Sequence, residues 1–166
     1  MRVELQLHGL EGVLATLQSL PPEIVSKRGG PVKAALRKGA LVILKAEQAN
    51  LAAVTANATD DDKRLSTGFL SKNLIASRGK APTSGKGERY LVRVRRKTYP
   101  DRKGKPVTTL KVAQLLEYGS SQQPAEPWIR PAFLSKAADV IRTVESELVK
   151  GIDRIVKKLA AQNKGR

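Results

Sequence analysis

Residues Leu115 to Phe133 read LLEYGSSQQPAEPWIRPAF, and this stretch decides how the rest of the chain is arranged. It contains the only Trp and three of the nine prolines. Val112, Leu115 and Leu116 have helical spacing, and Gly119 is a suitable stop just past them. Ser120 to Pro127 cannot continue a helix, because Pro124 and Pro127 lack N–H donors and restrain the residues before them. Pro131 falls in the first turn of a second helix, where a missing donor costs nothing. Trp128, Ile129 and Phe133 give the turn an apolar anchor. The stretch therefore predicts a helix end, an ordered turn pinned to the body, and a helix start.

Downstream, Leu134, Ala137, Ile141, Val144, Leu148, Ile152, Ile155 and Leu159 step by three or four residues. They predict an amphipathic helix over Phe133–Leu159, about 40 Å long, with Gly151 as a place for a bend. Ala161 to Arg166 reads as a frayed basic tail.

Upstream, Glu88 to Arg96 alternates as a strand does. Tyr90, Val92 and Val94 face one way; Arg89, Leu91, Arg93 and Arg95 face the other. Tyr99 to Pro106 is turn-rich, and Val107 to Leu110 is expected to return as a strand, completing a hairpin. Arg78 to Gly87 reads as a flexible basic loop without the G-x-x-x-x-G-K-[ST] pattern of a nucleotide site. Thr67 to Ile75 is a short element; the pattern leaves helix and strand both open. Asp60-Asp61-Asp62 lacks the alternating spacing of a calcium loop and reads as a solvated turn.

Val32 to Asn57 predicts one long Ala- and Leu-rich helix. Val32, Leu36, Ile43 and Ala46 form one stripe; Leu41, Leu44, Leu51 and Val54 add a second. Two stripes predict burial on two sides, and Gly39 permits close approach of another backbone. At the start, Val3, Leu5 and Leu7 alternate as a half-buried strand with His8 on its polar face. Leu10, Val13, Leu14, Leu17 and Leu20 then predict a helix closed by Pro21-Pro22. The expected fold class is α+β: a small, mainly antiparallel sheet packed against a long central helix and a long C-terminal helix. We expect one domain over 1–166, with a basic hairpin arm at about 86–111.

Composition narrows the function. The 166 residues carry no Cys, which excludes disulfides and thiol chemistry, and a single His, which excludes a multi-His metal site. Hydrophobic residues are 40% but aromatic ones only 4%, so the core must rely on Leu, Val, Ile and Ala. The longest apolar run, Ala40 to Leu44, is too short for a bilayer. The opening residues do not resemble a signal peptide, so a soluble protein made in a cytoplasm is expected. The net charge of +16 points to an acidic partner. Lys86 to Lys111 holds ten basic residues against Glu88 and Asp101, which is half of that net charge. Arginines on alternate strand positions leading into a basic loop suit phosphates. The few aromatics among them do not support base stacking.

Glu117-Tyr118-Gly119-Ser120, Pro124-Ala125 and Pro127-Trp128-Ile129-Arg130-Pro131-Ala132-Phe133 resemble the signature of the tail-completion (neck) proteins of long-tailed bacteriophages. That family is often described as a putative tail component, and the lambda minor tail protein Z group is related to it. Thr67-Gly68-Phe69-Leu70 with Leu74-Ile75 resembles a second family element, and the order of elements agrees over most of the chain. Arg95 to Lys111 is longer than the family's pattern. The resemblance implies a structural virion protein, assembled in the bacterial host cytoplasm and placed at the head–tail junction. It implies a homo-oligomeric ring of six or twelve copies that completes the tail and helps join it to the head. Its partners would be head-closure or connector proteins and tail-terminator or tail-tube proteins, with the genome passing through the ring.

On this reading Glu117, Tyr118, Trp128, Ile129, Arg130 and Phe133 are the candidates for a subunit or partner interface. Intramolecular anchoring of the turn is the competing role for Trp128, Ile129, Arg130 and Phe133, because aromatic and arginine residues suit both core edges and interfaces. Arg93, Arg95 and Lys103 are the candidates for facing double-stranded DNA without sequence preference; an acidic protein surface is the alternative. A free, sequence-nonspecific nucleic-acid-binding protein needs only the charge, but no helix-turn-helix, zinc or RNA-recognition signature accompanies it. Glu117, Asp101 and Glu126 form no fixed acid pair and there is no nucleophile motif, so no catalytic, cofactor or metal site is expected.

Overall fold

The computed structural model describes residues 30–57, 68–80, 88–100 and 106–163. Among the described residues six elements follow one another: α1 (Pro31–Asn57), α2 (Phe69–Lys72), β1 (Leu74–Arg78), β2 (Tyr90–Val94), α3 (Thr109–Tyr118) and α4 (Ile129–Asn163). The fold is α+β: a two-stranded antiparallel sheet packed against two long helices. The expected Val3–Leu7 strand and the helix after it lie outside the described residues. So do Asp60 to Asp62, most of the basic loop before Glu88, and Lys103.

α1 and α4 run antiparallel. Pro31 lies against Gly151, Gly39 against Val140 and Val144, and Asn50 against Trp128. A Cβ on Gly39 would come within 2.7 Å of Val144 Cγ2, and one on Gly151 within 2.5 Å of Pro31 Cβ. Gly151 is thus a contact point rather than the expected bend, and the helix runs unbroken through it. Ala35, Val144 and Leu148 close the middle of the crossing, flanked by Val32, Leu36 and Val140. On α1 the buried stripe is Ala35, Ala40, Ile43, Glu47 and Leu51; Leu41, assigned to an apolar stripe, is 36% exposed. On α4 Leu134 is 77% exposed, because α1 takes the face of Val140, Val144 and Leu148 instead. α4 also begins four residues before Phe133 and extends into the expected frayed tail as far as Asn163; the remaining three residues of that tail lie outside the described residues.

The undecided segment after Thr67 is helix and strand in succession. α2 is one turn, closed where Asn73 donates its side-chain N–H to Phe69 O at 2.8 Å. β1 starts at the next residue. It pairs with β2 in the register Leu74–Val94, Ala76–Val92 and Arg78–Tyr90. Leu74, Val92 and Val94 face α1 and join Leu51, Leu70, Ala113 and Trp128 in the second core, with Leu44 and Val54 against them. α1, α2, the ribbon, α3 and the start of α4 therefore share one apolar centre.

The expected return strand at Val107–Leu110 is replaced by a single bridge, Thr98 to Thr108, and a helix. Two threonines end the ladder. Thr108 caps α3, its hydroxyl accepting from Lys111 N. The Thr109 hydroxyl, fully buried, donates to Arg95 O at 2.7 Å and accepts from Lys97 N at 3.0 Å. The side chain thus takes backbone groups that a longer strand would have used.

Candidate functional site

The E-Y-G-S turn and the P-W-I-R-P-A-F start form one interlocked unit. Gly119 adopts φ 73°, which glycine tolerates best, and its N–H returns to Leu115 O at 2.8 Å. A Cβ there would lie 2.8 Å from Ala125 N and Gln123 O, so the turn has room only for hydrogen. Ser120 Oγ accepts from Gln122 N and Gln123 N, and Glu126 N donates to Leu116 O. These bonds fold the proline-rich segment back along the end of α3.

That fold-back delivers the first N–H groups of α4 to the Glu117 carboxylate. Oε2 accepts from Trp128 N and Ile129 N, both at 2.8 Å. Oε1 accepts from Arg130 N at 3.3 Å and from Arg130 Nε at 2.9 Å. The start of any helix leaves N–H groups without partners and carries partial positive charge. Here a carboxylate from a different helix supplies the cap. Burial pushes the Glu117 carboxyl up, but the bonds from Ile129, Trp128 and Arg130 outweigh it and hold the group below the usual carboxylate range.

The candidate interface residues separate into two tiers. Trp128 is fully buried and Glu117 is 2% exposed, so both act within the subunit. Ile129 and Phe133 are half-buried. Tyr118 is 53% exposed and the Arg130 side chain 54%, and the Arg130 guanidinium sits 5.4 Å from the Tyr118 ring centre. Tyr118 and Arg130 are therefore the most exposed members of the set.

Glu47 is a residue that sequence reasoning missed. It is 5% exposed. Burial, and then the nearby Glu117 charge, push its carboxyl up to about 7. The signal was present: Glu47 lies four residues from both Ile43 and Leu51, on the stripe that turned out to be buried.

The second candidate surface is the outer face of the ribbon. Arg93 and Arg95 are both exposed there. Arg93 pairs across the ladder with Ile75, and Arg95 N donates to Asn73 O at 2.8 Å, which continues the pairing beyond β2. Arg78 is engaged by Glu88 through two bonds, of 2.6 and 2.7 Å. Arg93 and Arg95 have no acidic partner among the described residues.

No group of three or more His, Cys, Asp and Glu suited to a metal occurs among the described residues, and no helix there is long and apolar enough to cross a membrane. Comparison with known protein families, with curated proteins and with solved structures finds no match.

Proposed function

We propose that this chain is a structural subunit of the head–tail junction of a long-tailed bacteriophage. It forms a homo-oligomeric ring that completes the tail and helps join it to the head connector. The observation that carries the reading is the resemblance of Glu117 to Phe133 to the tail-completion signature. The geometry supports it by giving the signature a physical purpose. The glutamate caps the helix that the second half begins, the glycine makes the fold-back possible, and the tryptophan plugs the core beneath. Tyr118 and Arg130 then stand on the surface of a turn held in one shape, which suits a contact that must repeat around a ring. Localising the chain in assembled particles by electron microscopy tests the proposal. Six or twelve copies at the junction are expected; a single copy, or particles lacking the chain, would overturn it.

The arginines of the ribbon, which have no acidic partner among the described residues, favour a second reading, a sequence-nonspecific nucleic-acid-binding protein that acts alone. Size separates the two. Under this reading a free monomer binds duplex tightly; under the first, the chain is found in rings or particles.

A further inference from the structure

We infer that the outer face of the β1–β2 ribbon is a binding surface for the phosphate backbone of nucleic acid, with Arg89, Arg93 and Arg95 as a row of contacts. It deepens the nucleic-acid part of the reading above and rests on that part, not on the ring. Three observations carry it. The first is spacing. Alternate residues of an antiparallel strand project on one face about 7 Å apart, so Arg93 and Arg95 are neighbours on the face and Arg89 follows two steps away. The Arg89 stem and Leu91 lie together over Gly79 just past the Arg78–Tyr90 end of the ribbon, which puts them on one side.

The second observation is rigidity. The opposite face is anchored through Leu74, Val92 and Val94 in the core shared with α1. Thr109 Oγ1 also fixes the Arg95 carbonyl and the Lys97 N–H, just where the row leaves the strand. A row on such a platform presents fixed charge at little ordering cost. Arg96 and Lys97 continue the exposed basic surface beyond it.

The third is what the face lacks. Glu88 is occupied by Arg78, and no acidic side chain pairs with Arg89, Arg93, Arg95, Arg96 or Lys97 among the described residues. Tyr90 lies on the inner face with Val92 and Val94, so no ring alternates with the arginines to stack on a base. Guanidinium groups without base-reading or stacking companions hold phosphates and are blind to sequence.

The test uses the full purified chain, two duplexes of unrelated sequence, and fluorescence anisotropy between 50 and 200 mM salt. Three contacts predict an affinity loss of about 40-fold across that range, and the double variant Arg93→Gln/Arg95→Gln a loss of only about 3- to 4-fold. A control that removes two charges elsewhere, Lys150→Gln/Lys157→Gln on α4, should keep the parental slope. Melting temperature and circular dichroism of each variant check the fold. Equal binding of both duplexes with that split supports the proposal. A preference for one duplex, or equal flattening in the control, overturns it. No duplex binding at 50 mM salt, with poly-glutamate bound through Arg93 and Arg95 instead, also overturns it and makes the face a dock for acidic protein. None of these outcomes depends on whether the chain is found at the head–tail junction, so the two proposals fail separately.

Discussion

At position 117 one carboxylate takes three backbone N–H groups and a guanidinium, and it does so 2% exposed. Glu117→Gln keeps the shape but replaces one acceptor oxygen by a donor facing other donors, and removes the charge that the helix start favours. We expect a loss of about 2–4 kcal/mol, since bonds to a charged group are strong and buried N–H groups would be stranded. Urea unfolding checks it; a loss below the size of an ordinary surface substitution would mean water replaces the cap. Glu47 works with the opposite sign. Its folded-state value of about 7 lies above the ordinary 4.5, so the folded chain holds a proton that the unfolded chain has released. The associated stability is fully present below pH 4.5 and is lost as pH rises through 7, a displacement worth roughly 3 kcal/mol. Glu47→Gln should therefore unfold at a higher urea concentration than the parent at pH 8, with the gap closing at pH 4. Glu117, held low, loses its contribution as pH falls through its folded value, so the two carboxyls limit stability from opposite sides.

Among the elements, the α1–α4 pair depends on two glycines, and they are not equivalent. At Gly39 the obstruction is Val144 Cγ2 at 2.7 Å, the tip of a side chain; at Gly151 it is the Pro31 ring and also Pro31 Cα at 3.2 Å. A valine can turn, whereas a proline at the start of a helix cannot. Gly151→Ala should destabilise by about 1–3 kcal/mol from overpacking, although alanine is the better helix former by about 1 kcal/mol. Gly39→Ala should cost less. Equal melting temperatures for Gly151→Ala and the parent would show that the helices separate freely at that point. The same pair shows what the sequence could reveal. Gly39 was legible as a place of close approach, and both long helices as periodic runs. Gly151 read as a bend and Leu134 as a core residue, because periodicity orders the faces of one helix but does not say which face the neighbour takes. The ribbon was half legible for a similar reason. Alternation exposed β2 and its arginines, but the return strand was lost to Thr109, whose hydroxyl takes the Arg95 and Lys97 backbone groups from across the loop. The role of Glu117 depended on the same kind of long-range contact: its partners lie eleven to thirteen residues away, beyond any local pattern.

For the whole molecule, the proposed assembly role turns on whether the signature serves only its own subunit. Trp128 and Tyr118 separate the two possibilities, since one is fully buried in the shared core and the other is 53% exposed at the turn. Trp128→Ala should cost about 3–5 kcal/mol of stability, as deletion of a buried aromatic does, and head–tail joining should fail with it. Tyr118→Ala removes no core packing. It uncovers one side of the Arg130 guanidinium but leaves the Glu117 cap in place, so the melting temperature should stay within a degree or two, roughly what a substitution away from the core allows. If Tyr118 and Arg130 meet a neighbour, that variant should still fold and yet join heads to tails poorly. Exposed aromatic and arginine groups at the centre of an interface carry much of its energy. Tyr118→Phe separates ring from hydroxyl: joining restored by Phe assigns the contact to the ring face over Arg130, and joining lost again assigns it to a hydrogen bond. Normal joining by Tyr118→Ala would leave the signature as an internal clamp and move the interface to another face of the subunit. The exposed Leu134, one turn into α4 from Arg130, would then be the first position to substitute.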